Sequence, residues 1–127
     1  MGAEAVGPKR ILVVDDEPGV RRLLNDLFAG EGYVVSKAGD GVAALDRVRA
    51  FRPDVVVLDL MMPVMDGWTF AAECRRINTD RDVPIIAISA MFELQGAAGA
   101  LRALGVRACL SKPFDVDDIL SLVAAVV

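Results

Sequence analysis

We expect the rest of the chain to be arranged around the sequence PDVVVLDLMMPVMDG, residues 53–67. Its apolar run from Val55 to Leu58 has no polar position, which is typical of a parallel strand covered by helices on both faces. The run ends in Asp59, and Pro63 and Gly67 then interrupt the chain as a loop. A carboxylate beside a buried strand is unfavourable unless another group compensates its charge. We therefore expect other residues of the chain to meet Asp59 where this strand ends.

The rest of the chain repeats one unit, an apolar strand followed by an amphipathic helix. We predict strands at Arg10–Val14, Tyr33–Ala38, Val55–Leu58, Val83–Ser89 and Arg107–Leu110. We predict helices from Pro18 to Gly30 or Gly32, and at Gly41–Phe51, Trp68–Ile77, Phe92–Leu104 and Val116–Val126. Strict alternation implies right-handed crossovers and a parallel sheet with helices on both faces. The predicted fold is an α/β, doubly wound (βα)5 domain of the flavodoxin-like type, with strand order 2-1-3-4-5.

The first predicted helix has two distinct faces. Val20, Leu24 and Phe28 belong to an apolar stripe at helical spacing, which we expect to pack on the sheet. Arg21 and Arg22 lie between these positions, on the outward face. The pattern therefore predicts that both arginines point to solvent.

Length and composition restrict the class of protein. The 127 residues predict one domain, residues 10–127, preceded by a flexible leader, residues 1–9. The net charge is −4 and basic residues do not cluster, which argues against direct binding to nucleic acid or an anionic membrane. The sequence has neither a signal-peptide pattern nor an apolar run long enough to cross a bilayer. We expect a soluble, cytoplasmic protein.

The two cysteines, Cys74 and Cys109, have no metal-ligand spacing, and the chain contains no histidine. A zinc site is therefore hard to assemble from this sequence. Reduced, buried thiols are the expected state of both residues.

Polar residues follow four of the predicted strands. Asp15 and Asp16 end the first strand, Asp59 ends the third, Ser89 ends the fourth, and Lys112 follows the fifth. The carboxyl ends of parallel strands meet at one edge of the sheet, so these side chains should converge there. Three ionised carboxylates repel one another and need a cation or a proton. Oxygen ligands without histidine favour a hard cation; Mg²⁺ is expected and Mn²⁺ is an alternative.

Four short segments together carry a family resemblance. They are VVDDEP at 13–18, LDLMMPVMDG at 58–67, ISA at 88–90 and SKPF at 111–114. In this order, one per strand end, they resemble the response-regulator receiver domain, the CheY-like module of two-component signalling. The similarity runs from about Arg10 to Ala125, which is nearly the whole chain.

The resemblance implies a role for each residue of the predicted site. Asp59 would be the phosphoacceptor. Asp15, Asp16, Asp59 and the backbone carbonyl of Met61 would hold the metal. Lys112 would supply a second cation, and Ser89 would bind a phosphoryl oxygen and move inward as the switch. These roles agree with the chemistry, because a carboxylate that attacks phosphorus needs its charge offset.

The resemblance also implies partners. The phosphoryl group would come from a histidine kinase or a histidine phosphotransfer protein. The signal would pass, through the surface of residues 92–126, to a downstream protein or a fused output domain, and a homodimer through the last helices is an open alternative. Self-phosphoryl transfer and slow self-dephosphorylation would be the only reactions, so the chain is not expected to be an enzyme.

Two departures from the family pattern bear on switching and signal lifetime. Cys109 stands where receiver domains usually have Tyr or Phe, so no ring is available to turn inward. The output would depend on Ser89 and on the backbone of the predicted helix Phe92–Leu104. Met61 and Met91 flank the approach of the hydrolytic water in this family. Because neither methionine can orient that water by hydrogen bonding, we predict a long-lived phosphoaspartate.

Three other functions share parts of this pattern. A receiver-like scaffold would bind partners without phosphorylation, and Cys109 is the feature that favours it. A phosphatase resembling the haloacid dehalogenases would use Asp59 as nucleophile, but Met61 stands where the second acid of its Asp-x-Asp motif is needed. A flavodoxin-like FMN carrier needs hydroxyls and amides after the first strand, where this chain has Asp15, Asp16 and Glu17.

Overall fold

A five-stranded parallel sheet forms the centre of the fold in our computed structural model, which describes residues 7–62, 65–77, 82–90 and 98–127. Its strand order is β2-β1-β3-β4-β5, which confirms the predicted topology. The strands are β1 (Arg10–Val14), β2 (Val34–Ala38), β3 (Val55–Asp59), β4 (Ile85–Ala90) and β5 (Val106–Lys112). Of the predicted leader, residues 1–6 lie outside the described residues.

Five described helices connect or follow the strands. They are α1 (Pro18–Gly30), α2 (Gly41–Phe51), α3 (Gly67–Ile77), α4 (Ala98–Ala103) and α5 (Val116–Val126). The Asp115 side chain accepts a hydrogen bond from the backbone N–H of Asp117, and so caps the start of α5 as its position suggests. Among the described helices, none combines the length and the apolar character that a bilayer crossing requires.

The predicted bounds agree with the structure for β1, α1, α2 and α5. They differ by one residue for β2, β3 and α3, and the larger differences lie in β4, β5 and α4. β4 begins two residues later than predicted, at Ile85. β5 continues to Lys112, two residues beyond the predicted end, because Ser89 and Ala90 of β4 still pair with Ser111 and Lys112. Of the helix predicted from Phe92 to Leu104, the described part is α4, and residues 91–97 lie outside the described residues.

Alternate residues of the central strands point to opposite faces of the sheet, and each face has its own apolar core. One core is covered by α2, α3 and α4, and the other by α1 and α5. The first core includes Leu12, Val14, Val56, Leu58 and Ile85 from the strands; the second includes Ile11, Val13, Val55, Val57 and Ile86.

Every residue of β3 is buried, as its unbroken apolar run predicts. Val55 to Leu58 have no exposed surface at all. Burying a Val or Leu side chain fully contributes roughly 1.5–3 kcal/mol to the stability of the fold. The strand is therefore a well-anchored support, and Asp59 is its last residue.

Gly67 brings the start of α3 against the end of β3. Its backbone N–H donates to the carbonyl of Leu60 at 3.1 Å. A Cβ atom at this position would lie 2.6 Å from the Cα of Leu60 and 2.7 Å from the backbone oxygen of Asp59. Both atoms belong to the backbone and cannot rotate away. Only glycine allows this approach, which fixes the chain directly after Asp59.

We expect Gly67→Ala to lower the free energy of unfolding by about 1–3 kcal/mol, because the added methyl group forces backbone atoms apart. Urea unfolding measures the change. Gly19→Ala is the matched control, since a Cβ there meets nothing within 4 Å and Gly19 lies in the first turn of α1. The control should be neutral or stabilising, because alanine favours helix. Equal stability of Gly67→Ala and the parent protein would show that the close approach is not a constraint.

Candidate functional site

The register of the sheet brings four strand ends together at one edge. Val14 is paired with Leu58, so Asp15 and Asp59 follow neighbouring positions of β1 and β3. Asp59 is paired with Ile88, which puts Ser89 one residue further along β4. Ala90 is paired with Lys112, the last residue of β5. Asp15, Asp59 and Ser89 are all buried.

Lys112 is the centre of this cluster. Its Nζ lies 2.9 Å from Oε1 of Glu17, 3.0 Å from Oδ2 of Asp15 and 3.3 Å from Oδ2 of Asp59. The lysine side chain is 21% exposed, whereas the side chains of Asp15 and Asp59 are 0% and 5% exposed. The ammonium therefore neutralises part of a buried negative charge that the sheet would otherwise leave uncompensated.

Glu17 also belongs to this cluster, although we did not predict it as a site residue from the sequence. One carboxylate oxygen from each of Asp15, Glu17 and Asp59 lies within 4.8 Å of the others. The chain bends at Asp16, directly after β1, and this brings Glu17 to the side of Asp15. The backbone N–H of Glu17 also donates to Oδ1 of Asp15 at 2.9 Å, which closes the turn between them.

Asp16 is not part of that carboxylate group among the described residues. It is half-buried and lies between Asp15 and Glu17 in the sequence. Residues 15–17 are three adjacent acidic residues. The direction of the chain after β1 determines which of their side chains reach the site. Asp16 therefore stays a predicted metal ligand, and Glu17 joins the candidates.

Burial raises the pKa of both Asp15 and Asp59 above the ordinary value for an aspartate. A hydrogen bond from the backbone N–H of Glu17 to Asp15, and one from Met61 to Asp59, oppose this rise in pKa without cancelling it. Burial lowers the pKa of Lys112, but its hydrogen bond to Glu17 and its contacts with Asp15 and Asp59 outweigh burial and raise that pKa. Lys112 is therefore charged at neutral pH, while burial makes the charged forms of both aspartates less favourable than in water.

Ser89 is buried, and its hydroxyl makes no hydrogen bond to the described residues. Its side chain is 1% exposed, and Oγ has no hydrogen-bond partner among the residues that the structure describes. A buried hydroxyl without a partner costs about 1–3 kcal/mol, so such a group calls for an explanation. A ligand that brings acceptor oxygens to this edge of the sheet would provide one.

The loop after Asp59 contacts the site through its backbone. The N–H of Met61 donates to Oδ1 of Asp59 at 3.0 Å, while the Met61 side chain is 55% exposed. An exposed, apolar side chain therefore lies two residues beyond Asp59. Met91, the second residue predicted to affect signal lifetime, lies outside the described residues.

The two cysteines differ from each other. Cys74 is buried in the core under α3, as predicted. Cys109 is exposed on β5, so the prediction of a buried thiol is wrong there. β5 is an edge strand of the sheet, and its residues alternate between the packed and the open side. Partial burial still raises the pKa of the Cys109 thiol, which makes it a weak nucleophile at neutral pH.

The donor set fits a hard divalent cation. Asp15, Glu17 and Asp59 offer carboxylate oxygens at hydrogen-bonding range of one ammonium, and the described part of the chain brings no nitrogen or sulfur ligand into this group. Oxygen-only sites of this kind suit Mg²⁺ or Mn²⁺. The pKa of Asp15 and Asp59, raised chiefly by burial, agrees with this, because a second cation would stabilise their charged forms.

Comparison with known proteins finds a family and several relatives that match most of this chain. Residues 11–124 match the family described as response regulator receiver domain. The chain is 40% identical over 111 residues to sporulation initiation phosphotransferase F of Bacillus subtilis, a match that covers 87% of each chain. It spans about half the length of several other curated relatives that it matches.

Solved structures agree with this match. Chemotaxis protein CheY4 of Vibrio cholerae superimposes with a TM-score of 0.88 at 28% identity, over 95% of this chain and 100% of that one. The receiver domain of sensor histidine kinase PA1611 of Pseudomonas aeruginosa superimposes with a TM-score of 0.82 at 29% identity, over 94% and 98% of the two chains. That structure has a magnesium ion coordinated in its active-site cleft.

We expect Asp59→Asn to stabilise the metal-free protein at pH 7, because it removes one of three carboxylates that share one ammonium, and because the charge of Asp59 is unfavourable in the buried site. A carboxyl group whose pKa is raised by folding contributes stability below its unfolded pKa of about 4, and loses it as pH rises through the folded value. The advantage of the variant should therefore vanish near pH 4 and grow toward pH 7.

Urea unfolding at several pH values, with a chelator present, measures this difference. Asp46→Asn is the control, because the Asp46 side chain is 80% exposed on α2 and its removal should change little at any pH. A difference between Asp59→Asn and the parent protein that does not change with pH would contradict the raised pKa of Asp59.

Proposed function

The chain belongs to the response regulator receiver domain family, and we propose that it accepts a phosphoryl group on Asp59 from a histidine kinase or a histidine phosphotransfer protein. The observation that carries this proposal is the buried Asp59 carboxylate, 3.3 Å from the Lys112 ammonium, at an edge where the Ser89 hydroxyl has no described partner. It is a module of two-component signalling, and phosphoryl transfer to itself is the reaction that we assign to it.

The proposed cation site uses Asp15 and Asp59, with Asp16, Glu17 and the backbone carbonyl of Met61 as further candidate ligands. Mg²⁺ is the proposed ion, with Mn²⁺ as a substitute. The magnesium ion in the PA1611 receiver domain supports this choice. When bound, such an ion would offset the negative charge of the phosphoryl oxygens near Asp59.

In the proposed transfer, one carboxylate oxygen of Asp59 attacks the phosphorus of a phosphohistidine. The new O–P bond gives an acyl phosphate, and the P–N bond breaks with its electron pair on the histidine nitrogen, which takes up a proton. Lys112 keeps its charge because its pKa is raised, so it can pair with the incoming phosphoryl oxygens. Ser89 donates its unused O–H to one of those oxygens.

We assign the switch to Ser89. A phosphoryl group adds close to two negative charges and three acceptor oxygens, enough to draw the hydroxyl and the end of β4 toward Asp59. Ser89 and Ala90 pair with Ser111 and Lys112, so movement of β4 would pass directly to β5. Cys109 on β5 has no aromatic ring that could turn inward. The movement of β4 and β5 would therefore carry the signal to the neighbouring surface of α4, β5 and α5.

The proposed partners follow from this role. A kinase or phosphotransfer protein would present its phosphohistidine at the carboxyl edge of the sheet, and a downstream protein or a fused output domain would read the surface of α4, β5 and α5. A homodimer through that surface is compatible with the role. We propose a cytoplasmic location for this chemistry and no direct contact with nucleic acid or membrane.

We expect one phosphoryl group to add to the protein on incubation with Mg²⁺ and a small phosphodonor, as measured by intact-mass spectrometry. Asp59→Asn should add none, and a chelator should abolish the reaction of the parent protein. Asp46→Asn is the control for loss of an acidic residue and should react normally. No added phosphoryl group on the folded parent protein would favour a scaffold that binds partners without phosphorylation.

We expect the phosphorylated protein to lose its phosphoryl group slowly, because the exposed Met61 side chain cannot orient water. Met61→Asn should shorten the half-life, because an amide can orient the attacking water by hydrogen bonding. The change should stay below the roughly 10²–10⁴-fold contribution of a full general acid or base, because Asn transfers no proton. Met61→Leu is the control and should leave the half-life unchanged. Met91→Glu tests the second predicted position in the same way. The mass assay followed over time measures all four proteins, and equal half-lives would exclude both methionines as determinants.

A further inference from the structure

We propose that Arg21 of α1 is a positioning residue for Asp15, and that Gly39 leaves the space through which Arg21 reaches it. The Nη1 atom of Arg21 donates to the backbone oxygen of Asp15 at 2.7 Å. Arg21 would thereby hold the Asp15 carboxylate in the direction that a bound cation requires. This inference deepens the function proposed above and rests on cation binding at Asp15.

Asp15 needs such a partner because it lies just past the end of the sheet ladder. Val14 is the last residue of β1 in register with both β2 and β3. The backbone N–H of Asp15 still reaches the carbonyl of Ala38, at 3.2 Å. Its carbonyl points to α1 instead, where the Arg21 guanidinium meets it. A charged donor gives a stronger hydrogen bond than a neutral one, which suits a fully buried residue.

The contacts of Asp15 together leave it one orientation. Its N–H is held by Ala38, its carbonyl by Arg21 and its Oδ1 by the N–H of Glu17. Oδ2 is then the oxygen that faces Lys112, at 3.0 Å, within the carboxylate cluster. Removing the Arg21 contact would release the carbonyl and let the turn between Asp15 and Glu17 rotate. The carboxylate would lose its direction although its charge is unchanged.

Gly39 makes the path of Arg21 sterically available. A Cβ atom on Gly39 would lie 2.9 Å from Nη1 and 3.3 Å from Cζ of Arg21. These atoms form the free end of a flexible side chain, so an added methyl group would displace the guanidinium rather than the backbone. Gly39→Ala is therefore expected to break the contact with Asp15 while the charge of Arg21 is kept. Arg21 and Gly39, from separate segments of the chain, therefore act together to hold Asp15.

The charge of Arg21 alone predicts the opposite effect. A guanidinium near a cation site repels the cation, so its removal should strengthen cation binding if electrostatics dominates. If positioning dominates, its removal should weaken binding, because groups that orient a metal ligand typically contribute about 10–100-fold to metal affinity. Arg22 is the matched control, since it is exposed and carries the same charge one residue away on α1.

Titration calorimetry of Mg²⁺ into the full chain, at constant ionic strength, separates these effects. We expect Arg21→Ala and Gly39→Ala each to weaken Mg²⁺ binding about tenfold, and Arg22→Ala to stay within about twofold of the parent protein. Urea unfolding identifies any variant that is not folded, and Gly39→Ala keeps the test intact if Arg21→Ala fails to fold. Unchanged or tighter binding in folded Arg21→Ala, or parent affinity in Gly39→Ala, would overturn the proposal.

Amide hydrogen exchange without metal gives a second readout. The Glu17 N–H, which donates to Asp15 Oδ1, should exchange faster in both variants relative to the core amide of Val57, and at the parent rate in Arg22→Ala. If the parent protein binds no Mg²⁺, the function proposed above fails at its cation, and exchange alone decides the role of Arg21. Unchanged Glu17 exchange in both variants overturns that role, and faster exchange supports it.

Discussion

A single ammonium, that of Lys112, lies among three carboxylates at the carboxyl edge of the sheet, and the function of the fold depends on this imbalance of charge. One positive charge cannot compensate Asp15, Glu17 and Asp59 together, so burial leaves the pKa of both aspartates raised. Further positive charge at the site would therefore be favourable. A divalent cation would offset the remaining negative charge, and together with Lys112 it would offset the added negative charge of a phosphoryl group on Asp59.

The rest of the structure keeps these groups at short distances. β3 is buried on both faces and presents Asp59 at its end, and the register of β1, β4 and β5 brings the other residues to the same edge. Gly67 holds α3 against the chain after Asp59. Arg21, across Gly39, holds the chain after β1. Among the described residues, the buried Ser89 hydroxyl has no hydrogen-bond partner, so we expect it to respond when the charge at the site changes.

Much of this could be predicted from the sequence, because strand ends in an alternating α/β chain must meet at one edge. Asp15, Asp59, Ser89 and Lys112 were found in this way. Glu17 was missed, because its approach depends on the direction of the chain after β1. Arg21 was predicted on the outward face of α1, but it is half-buried and contacts Asp15. Helical periodicity could not predict this contact, because it does not describe how a long side chain bends. Cys109 was expected to be buried, and it is exposed because it lies on the side of the edge strand β5 that the described residues leave open.

The central claim is that Asp59, among the clustered carboxylates, is the one that takes the phosphoryl group. Borohydride reduction of the phosphorylated protein tests it most directly, because it converts the acyl phosphate of an aspartate into homoserine at that position. Peptide mass mapping then identifies the residue. We expect homoserine at position 59 alone. A reduced side chain at Asp15, Asp16 or Glu17, with Asp59 unchanged, would contradict it.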